Sequence, residues 1–195
     1  LNMIKEYSDR FQGIMCFTAT EAIYLYEQGF DDLLVAYPTW DEKQLRTVCR
    51  LVKTGATITL MVDSMAHVKR LKSIAKEEEG MFLIAIDVDV STKFPGVYFG
   101  VYRSPLRSVK KVIHLAKQIK EIPQVKLDGV MGYEAQIAGV VDQAPNQKVK
   151  NNVVRYLKKR SRKQIARKRT TLMKALHKLG ISLRFVNGGG TGSLK

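Results

Sequence analysis

Short apolar runs alternate with longer segments of helical period along the whole chain. The strand-like runs are 13–18 (GIMCFT), 33–37 (LLVAY), 57–62 (TITLMV), 81–90 (MFLIAIDVDV), 127–133 (LDGVMGY) and 182–187 (SLRFVN). They are apolar on both faces rather than alternating, the pattern of parallel strands covered on both sides. Between them the spacing predicts helices over 20–28, 41–53, 64–78, 104–122 and 148–179. In the fourth, Val109, Val112, Ala116 and Ile119 share a face; in the fifth, Val153, Leu157, Ile165, Leu172, Leu176 and Leu179 form a broken apolar stripe. The stretch TATE at 18–21 and Asp41 are N-terminal cap signals, and Gly29, Gly55 and Gly180 are stop signals.

Regular alternation of strand and helix predicts an α/β fold with right-handed crossovers, either a doubly wound sheet or a (β/α)8 TIM barrel. Six strands in 195 residues fall short of the eight strands and roughly 250 residues of a complete barrel. The pattern also opens on a helix and stops directly after a strand. The expectation is a single, partial barrel domain over 1–195 whose open end strands would invite pairing with another chain.

Composition refines this picture in three ways. With 45% hydrophobic residues the chain can build a sizeable core, and no run approaches the ~20 apolar residues of a membrane span, so a cytoplasmic protein without membrane partners is expected. Cys16 and Cys49 have neither CxxC spacing nor clustered histidines beside them, so buried free thiols are expected and no metal site is assigned. The net charge of +15 suggests nucleic acid until it is located: 148–178 carries 13 of the 33 basic residues and no acid, leaving 20 basic against all 18 acidic residues elsewhere. A solvated helix on the outside of a barrel explains YLKKRSRKQIARKR (156–169) as well as a nucleic-acid-binding module does. Its apolar stripe survives and stacking aromatics are scarce.

In either architecture a ligand lies beyond the C-terminal ends of the strands. The polar residues gathered there are Thr18 and Thr20, Tyr37 with Pro38, Asp63 with Ser64, Asp87 and Asp89, Tyr133 with Glu134 and Gln136, and Asn187 with its glycines. Asp63 and Ser64 serve equally as helix caps. Asp87 and Asp89, two apart in one strand, point to the same face, lumen or helix layer, and need polar partners there. GVMGYEAQIAG (129–139) is either a turn with a packed tyrosine or part of a site. VNGGGTGS (186–193) is either a flexible tail or a cup whose successive N–H groups and hydroxyls receive an anion.

FQGIMCFTATEA, GFDDLLVAYPT, DVDVSTKFPGVYFGVYRSP, GVMGYEAQIAGV and FVNGGGTGS stand in the order and spacing of a known family. Together they resemble the N-terminal barrel of the D-threonine aldolase group, which shares the alanine racemase fold of pyridoxal-phosphate-dependent enzymes. The resemblance covers essentially all of the chain and is closest to an aldolase, deaminase or racemase-like branch. It implies an incomplete (β/α)8 barrel of the alanine racemase N-terminal type, about strands two to seven. The family's first strand, which ends in the lysine that holds pyridoxal 5'-phosphate as a Schiff base, would precede Leu1. Lys5 follows that place, on the opening helix, and does not inherit the role.

The family's phosphate loop matches Gly188, Gly189, Gly190, Thr191, Gly192 and Ser193, with Asn187 adjoining it. Tyr133 stands in a YEGH-like motif and would approach the cofactor ring or the substrate; Gln136 stands where a histidine is common. Arg103, with Asp87 and Asp89 nearby, is a candidate for the substrate or cofactor. The resemblance further implies a small amino acid substrate, of the D configuration on which the named group acts, and a homodimer in the full-length protein. An eighth strand and a β-domain, with a divalent metal in some members, would follow Lys195. The chemistry implied is aldol cleavage, dehydration with deamination, or racemisation, with the cofactor withdrawing electrons from Cα. A non-catalytic relative is the competing reading from another class.

Overall fold

In a computed structural model, residues 12–189 are described. Lys5, Gly190, Thr191, Gly192 and Ser193 lie outside the described residues. The strands are β1 (Ile14–Cys16), β2 (Leu33–Val35), β3 (Ile58–Val62), β4 (Phe82–Asp87), β5 (Thr92–Phe94), β6 (Val97–Phe99), β7 (Val125–Met131) and β8 (Phe185–Asn187). The helices are α1 (Ala19–Glu27), α2 (Glu42–Lys53), α3 (Met65–Glu77), α4 (Val109–Lys120), α5 (Ala135–Ala138) and α6 (Lys148–Lys178).

The main sheet has the order β1-β2-β3-β4-β7-β8, and β5 pairs with β6 in a separate antiparallel hairpin. The β1/β2, β2/β3, β3/β4 and β7/β8 pairs are parallel. Neighbours follow chain order without reversal. A doubly wound sheet reverses its order at a switch point, so this topology selects the incomplete (β/α)8 barrel between the two expected architectures.

The chain divides into two compact units, Leu1–Ile86 with Gln118–Asp128 and Asp87–Lys117 with Gly129–Lys195. In the first, β2 and β3 are buried along their whole lengths, and α1 to α3 contribute Ala22, Leu25, Leu45, Val48, Leu71 and Ile74 to the core. Each such large apolar side chain stabilises the fold by about 1.5–3 kcal/mol. The caps follow the sequence signals. Thr18 Oγ1 accepts from Glu21 N at 3.2 Å while Glu21 Oε2 accepts from Phe17 N at 2.6 Å, and Asp41 Oδ1 accepts from Gln44 N at 2.8 Å. Gly29 and Gly55 follow α1 and α2 with φ of +81° and +108°, values that a Cβ would disfavour. Ser64, not Asp63, caps α3, accepting from His67 N at 3.3 Å. Cys16 and Cys49 are buried free thiols, and burial pushes Cys16 up to about 11.

In the second unit, α6 buries Asn151, Val154, Ser161, Ile165, Leu172 and Leu176. Val153 belongs to the solvent, at 52% exposure, and the buried position is Val154. Ile165, Leu172 and Leu176 of the expected stripe are buried; at its N-terminal end the register is set instead by Asn151 and Ser161, inward polar positions that an apolar search skips. Two other expectations shift. The fourth strand stops at Asp87, so Asp89 is not a strand neighbour on the same face, and α4 begins at Val109 because Ser104 to Ser108 form a loop around Pro105.

Candidate functional site

The second unit collects most of the polar residues singled out from strand ends. Beyond β7 and β8 the backbone closes on itself: Gly132 N donates to Asn187 O at 2.9 Å, and Glu134 N donates to Gly188 O at 2.9 Å. These two bonds continue the β7/β8 ladder past the strands and bring the GYE turn against the first glycine of NGGG. A Cβ on Gly188 would sit 3.1 Å from Gly132 O and 3.2 Å from Glu134 Oε1, and closer still to Arg169 Nη2. A side chain at Gly188 would require the Arg169 guanidinium to move and the Gly132 and Glu134 oxygens to give way slightly. Arg169, from α6, pairs with Glu134 through that same Nη2.

Beneath the turn lies a cavity of about 20 Å³ walled by Val88, Val130, Leu172 and Val186. It has room for one water and none for a planar ring. Tyr133 is half-buried, and its hydroxyl lies 3.9 Å from where a Cβ on Gly139 would be, folded toward the end of α5. Gln136, 1% exposed, donates from Nε2 to Val90 O at 2.9 Å. It ties α5 to the segment after β4.

That segment, 87–107, is organised by its two acids. Asp87 Oδ2 accepts from Arg103 Nε at 2.8 Å, with side-chain exposures of 2% and 13%. Ser104 Oγ donates to Asp87 O at 2.7 Å, which fixes the backbone beside the pair. Asp89 accepts from Ser91 N at 2.8 Å and from the Tyr98 hydroxyl at 2.9 Å, and pairs with Arg107 at 3.4 Å. The Arg107 guanidinium covers the Tyr102 ring at 4.6 Å, and Tyr102 stacks on Tyr98 at 4.1 Å. Burial raises the Tyr98 phenol above its usual range, with the Asp89 charge adding to the shift. Asp87 and Asp89 thus hold two cations and a hairpin in place.

Lys168 closes the arrangement from α6. Its Nζ donates to Asp89 O at 2.5 Å and Arg107 O at 2.7 Å, and burial lowers its pKa while the Asp89 charge opposes the shift. Reading the sequence by strand ends missed Lys168, Arg169, Tyr98 and Arg107. A signal existed for the first two. They fall three and four residues after Ile165, and four and three before Leu172, on the inward stripe of α6, where a cation needs a partner. The FPGV turn at 94–97 signals the β5/β6 hairpin in the same way.

Three comparisons bear on this geometry. The family described as alanine racemase, N-terminal domain, matches residues 2–193. The 3-hydroxy-D-aspartate aldolase of Paracoccus denitrificans (strain Pd 1222) is 25% identical over 181 residues, which are 93% of this chain and 41% of that protein. Among solved structures, D-threonine aldolase from Filomicrobium marinum matches with a TM-score of 0.73 at 15% identity, over 93% of this chain and 43% of that one. Alanine racemase of Clostridium difficile 630 matches with a TM-score of 0.68 at 14% identity, over 98% and 44%. The chain spans less than half the length of these relatives, and at such identities the structural matches establish the fold.

Proposed function

Because the chain belongs to the alanine racemase N-terminal domain family, whose members depend on pyridoxal phosphate, we propose that it supplies the phosphate-binding part of an enzyme acting at the α-carbon of an amino acid. The carrying observation is the closure of the GYE turn on Gly188, where a Cβ would crowd the Arg169 guanidinium and the Gly132 and Glu134 oxygens. A glycine turn of this kind lets backbone N–H groups approach a phosphate closely. Asn187 and Gly188 fit this role. Gly189 follows, exposed, and Gly190, Thr191, Gly192 and Ser193 complete the expected loop by sequence.

When bound, the cofactor would withdraw electrons from Cα of the amino acid. The residues of this chain do the rest by placement. The buried Asp87 carboxylate holds the Arg103 guanidinium in one orientation, which suits it to bind a substrate carboxylate without first losing side-chain entropy. Tyr133, just past the end of β7 in the turn, is the residue that would hydrogen-bond the cofactor or the substrate. Gln136 fixes the turn that carries Tyr133 by its bond to Val90 O, and has an amide in place of a titrating group. Cleavage of the Cα–Cβ bond in a D-3-hydroxy amino acid is the reaction we assign, in line with the activities named for the Paracoccus and Filomicrobium relatives. A homodimer is the proposed assembly of the whole protein.

Titration of the purified whole protein, which would include the lysine strand that the resemblance places before Leu1, with pyridoxal phosphate, followed by visible absorbance, tests the cofactor assignment. Adding D- or L-3-hydroxy amino acids and measuring released glycine tests the reaction. Saturable binding with glycine released from the D substrates is expected. Absence of binding at millimolar pyridoxal phosphate would refute the cofactor reading, and equal cleavage of both enantiomers would refute the stereochemical one.

A further inference from the structure

Arg169 is not at a strand end, yet its guanidinium borders the glycine turn more closely than any other cation among the described residues. We propose that Arg169 is the cation that recognises the phosphate group at the Asn187–Gly188 turn, and that its pair with Glu134 is the resting state of an anion exchange. The proposal rests on the phosphate reading above and adds the residue that discriminates for it.

Three features of the second unit carry the argument. First, the helix turn bearing Arg169 is pinned. Lys168, its neighbour, holds two backbone carbonyls, Asp89 O at 2.5 Å and Arg107 O at 2.7 Å, and Leu172 is buried one turn on. The backbone at Arg169 is therefore fixed beside the glycine turn, and its guanidinium rests there against Glu134. Second, the two partners differ in access. The Arg169 side chain is 40% exposed and that of Glu134 is 13% exposed, so an incoming anion meets the cation. The guanidinium meets Glu134 through the one nitrogen Nη2, whereas its fork geometry suits a second acceptor group with several oxygens.

Third, the charge balance favours exchange. A phosphate monoester carries close to two negative charges near neutral pH and three acceptor oxygens, against one charge on Glu134. The helix that carries Arg169 is strongly basic, since 148–178 carries 13 basic residues and no acid. Such a segment raises the local concentration of anions. When phosphate takes Arg169, Glu134 loses its partner but stays at the turn, because its backbone N–H remains bonded to Gly188 O.

Isothermal titration of the purified protein with inorganic phosphate, pyridoxal phosphate and pyridoxal tests the proposal. Arg169→Met is expected to weaken both phosphate-bearing ligands by about tenfold or more, the loss of one charge-assisted bond, and to leave pyridoxal unchanged. Arg169→Lys, which keeps the charge without the fork, falls between. Glu134→Gln removes the resting competitor and tightens both phosphate-bearing ligands by roughly three- to tenfold, about 1 kcal/mol. Thermal melts identify a variant that fails to fold, in which case Arg169→Lys and Glu134→Gln decide. Unchanged phosphate affinity in Arg169→Met, equal loss of pyridoxal and pyridoxal phosphate, or weaker phosphate binding in Glu134→Gln overturns the proposal. Arg169-dependent binding of inorganic phosphate without binding of pyridoxal phosphate would support it while overturning the cofactor assignment.

Discussion

Replacing Arg103 by Met removes a cation of similar length and leaves the Asp87 carboxylate without the guanidinium it faces at 2.8 Å. The size of the effect follows from burial. Exposed ion pairs contribute about 0–1 kcal/mol because water screens them and both side chains lose entropy. Breaking a buried pair costs about 3–5 kcal/mol, since one charge is left in a low-dielectric site. With only 2% of the Asp87 side chain and 13% of the Arg103 side chain exposed, this pair belongs to the second class. The Ser104 hydroxyl, bonded to Asp87 O at 2.7 Å, keeps the carboxylate's backbone from moving out to water. We expect a loss of about 3 kcal/mol in urea unfolding, or roughly 6–12 °C in Tm for a chain of this size. Arg103→Lys, which retains charge but not the fork, should lose about half as much. The double variant Asp87→Asn, Arg103→Met should recover at least about 1 kcal/mol of the single loss, because no lone charge remains buried. A loss under about 1 kcal/mol in Arg103→Met would refute the reasoning, because it would place the pair in the solvent-screened class.

His67 is buried, its Nε2 lies 2.7 Å from Thr39 O, and its ring stacks on Trp40 at 4.9 Å. Burial lowers its pKa below the ordinary value, with the Thr39 carbonyl and Asp63 opposing. The neutral ring is the folded form, so its contribution is fully present above the unfolded value of about 6.5 and is lost as pH falls below it, at up to about 1.4 kcal/mol per pH unit. Urea unfolding between pH 7.5 and 5 should show this slope, and His67→Asn should flatten it. Gly129→Ala drives a methyl into the Phe185 ring on β8, an overpacking of about 1–3 kcal/mol measurable by thermal melting; an unchanged Tm would show that the ring swings away freely. On α6, Arg160, Arg162 and Lys163 are exposed, and alanine at all three should change stability by less than about 0.5 kcal/mol per site. Salt-sensitive DNA binding that these changes abolish would contradict the solvated-face reading of that helix.

The fold was largely legible because two periods do not overlap. A run such as TITLMV is too short and too rich in β-branched residues for a helix, and it is followed by a capped, 3.6-period segment. The ends of elements drifted where polar residues do structural work. Asp87 closes β4 because its carboxylate turns to Arg103, and Ser104 delays α4 because its hydroxyl serves Asp87 O. Neither partner is close in sequence, so no local pattern marks the boundary.

The site divides along the same line. Strand-end logic finds the residues that the main chain delivers, such as Tyr133, Glu134 and Asn187, since a barrel places them by topology alone. It cannot find those that a helix delivers from outside the sheet. Through the register of α6, which Ile165, Leu172 and Leu176 set by their burial, Lys168 reaches Asp89 O and Arg107 O and Arg169 reaches Glu134 at the turn. A one-residue shift of that register would carry both cations to solvent and leave Glu134 and the Asp89 carbonyl without them. The apolar stripe of α6 therefore fixes the electrostatics of the glycine turn: substituting Leu172 by Ala should lower stability by about 2–5 kcal/mol. If the helix also loosens, phosphate affinity should fall in the same variant although no phosphate-facing group has changed. Full phosphate affinity in a destabilised Leu172→Ala would mean that Lys168 alone holds the turn in place.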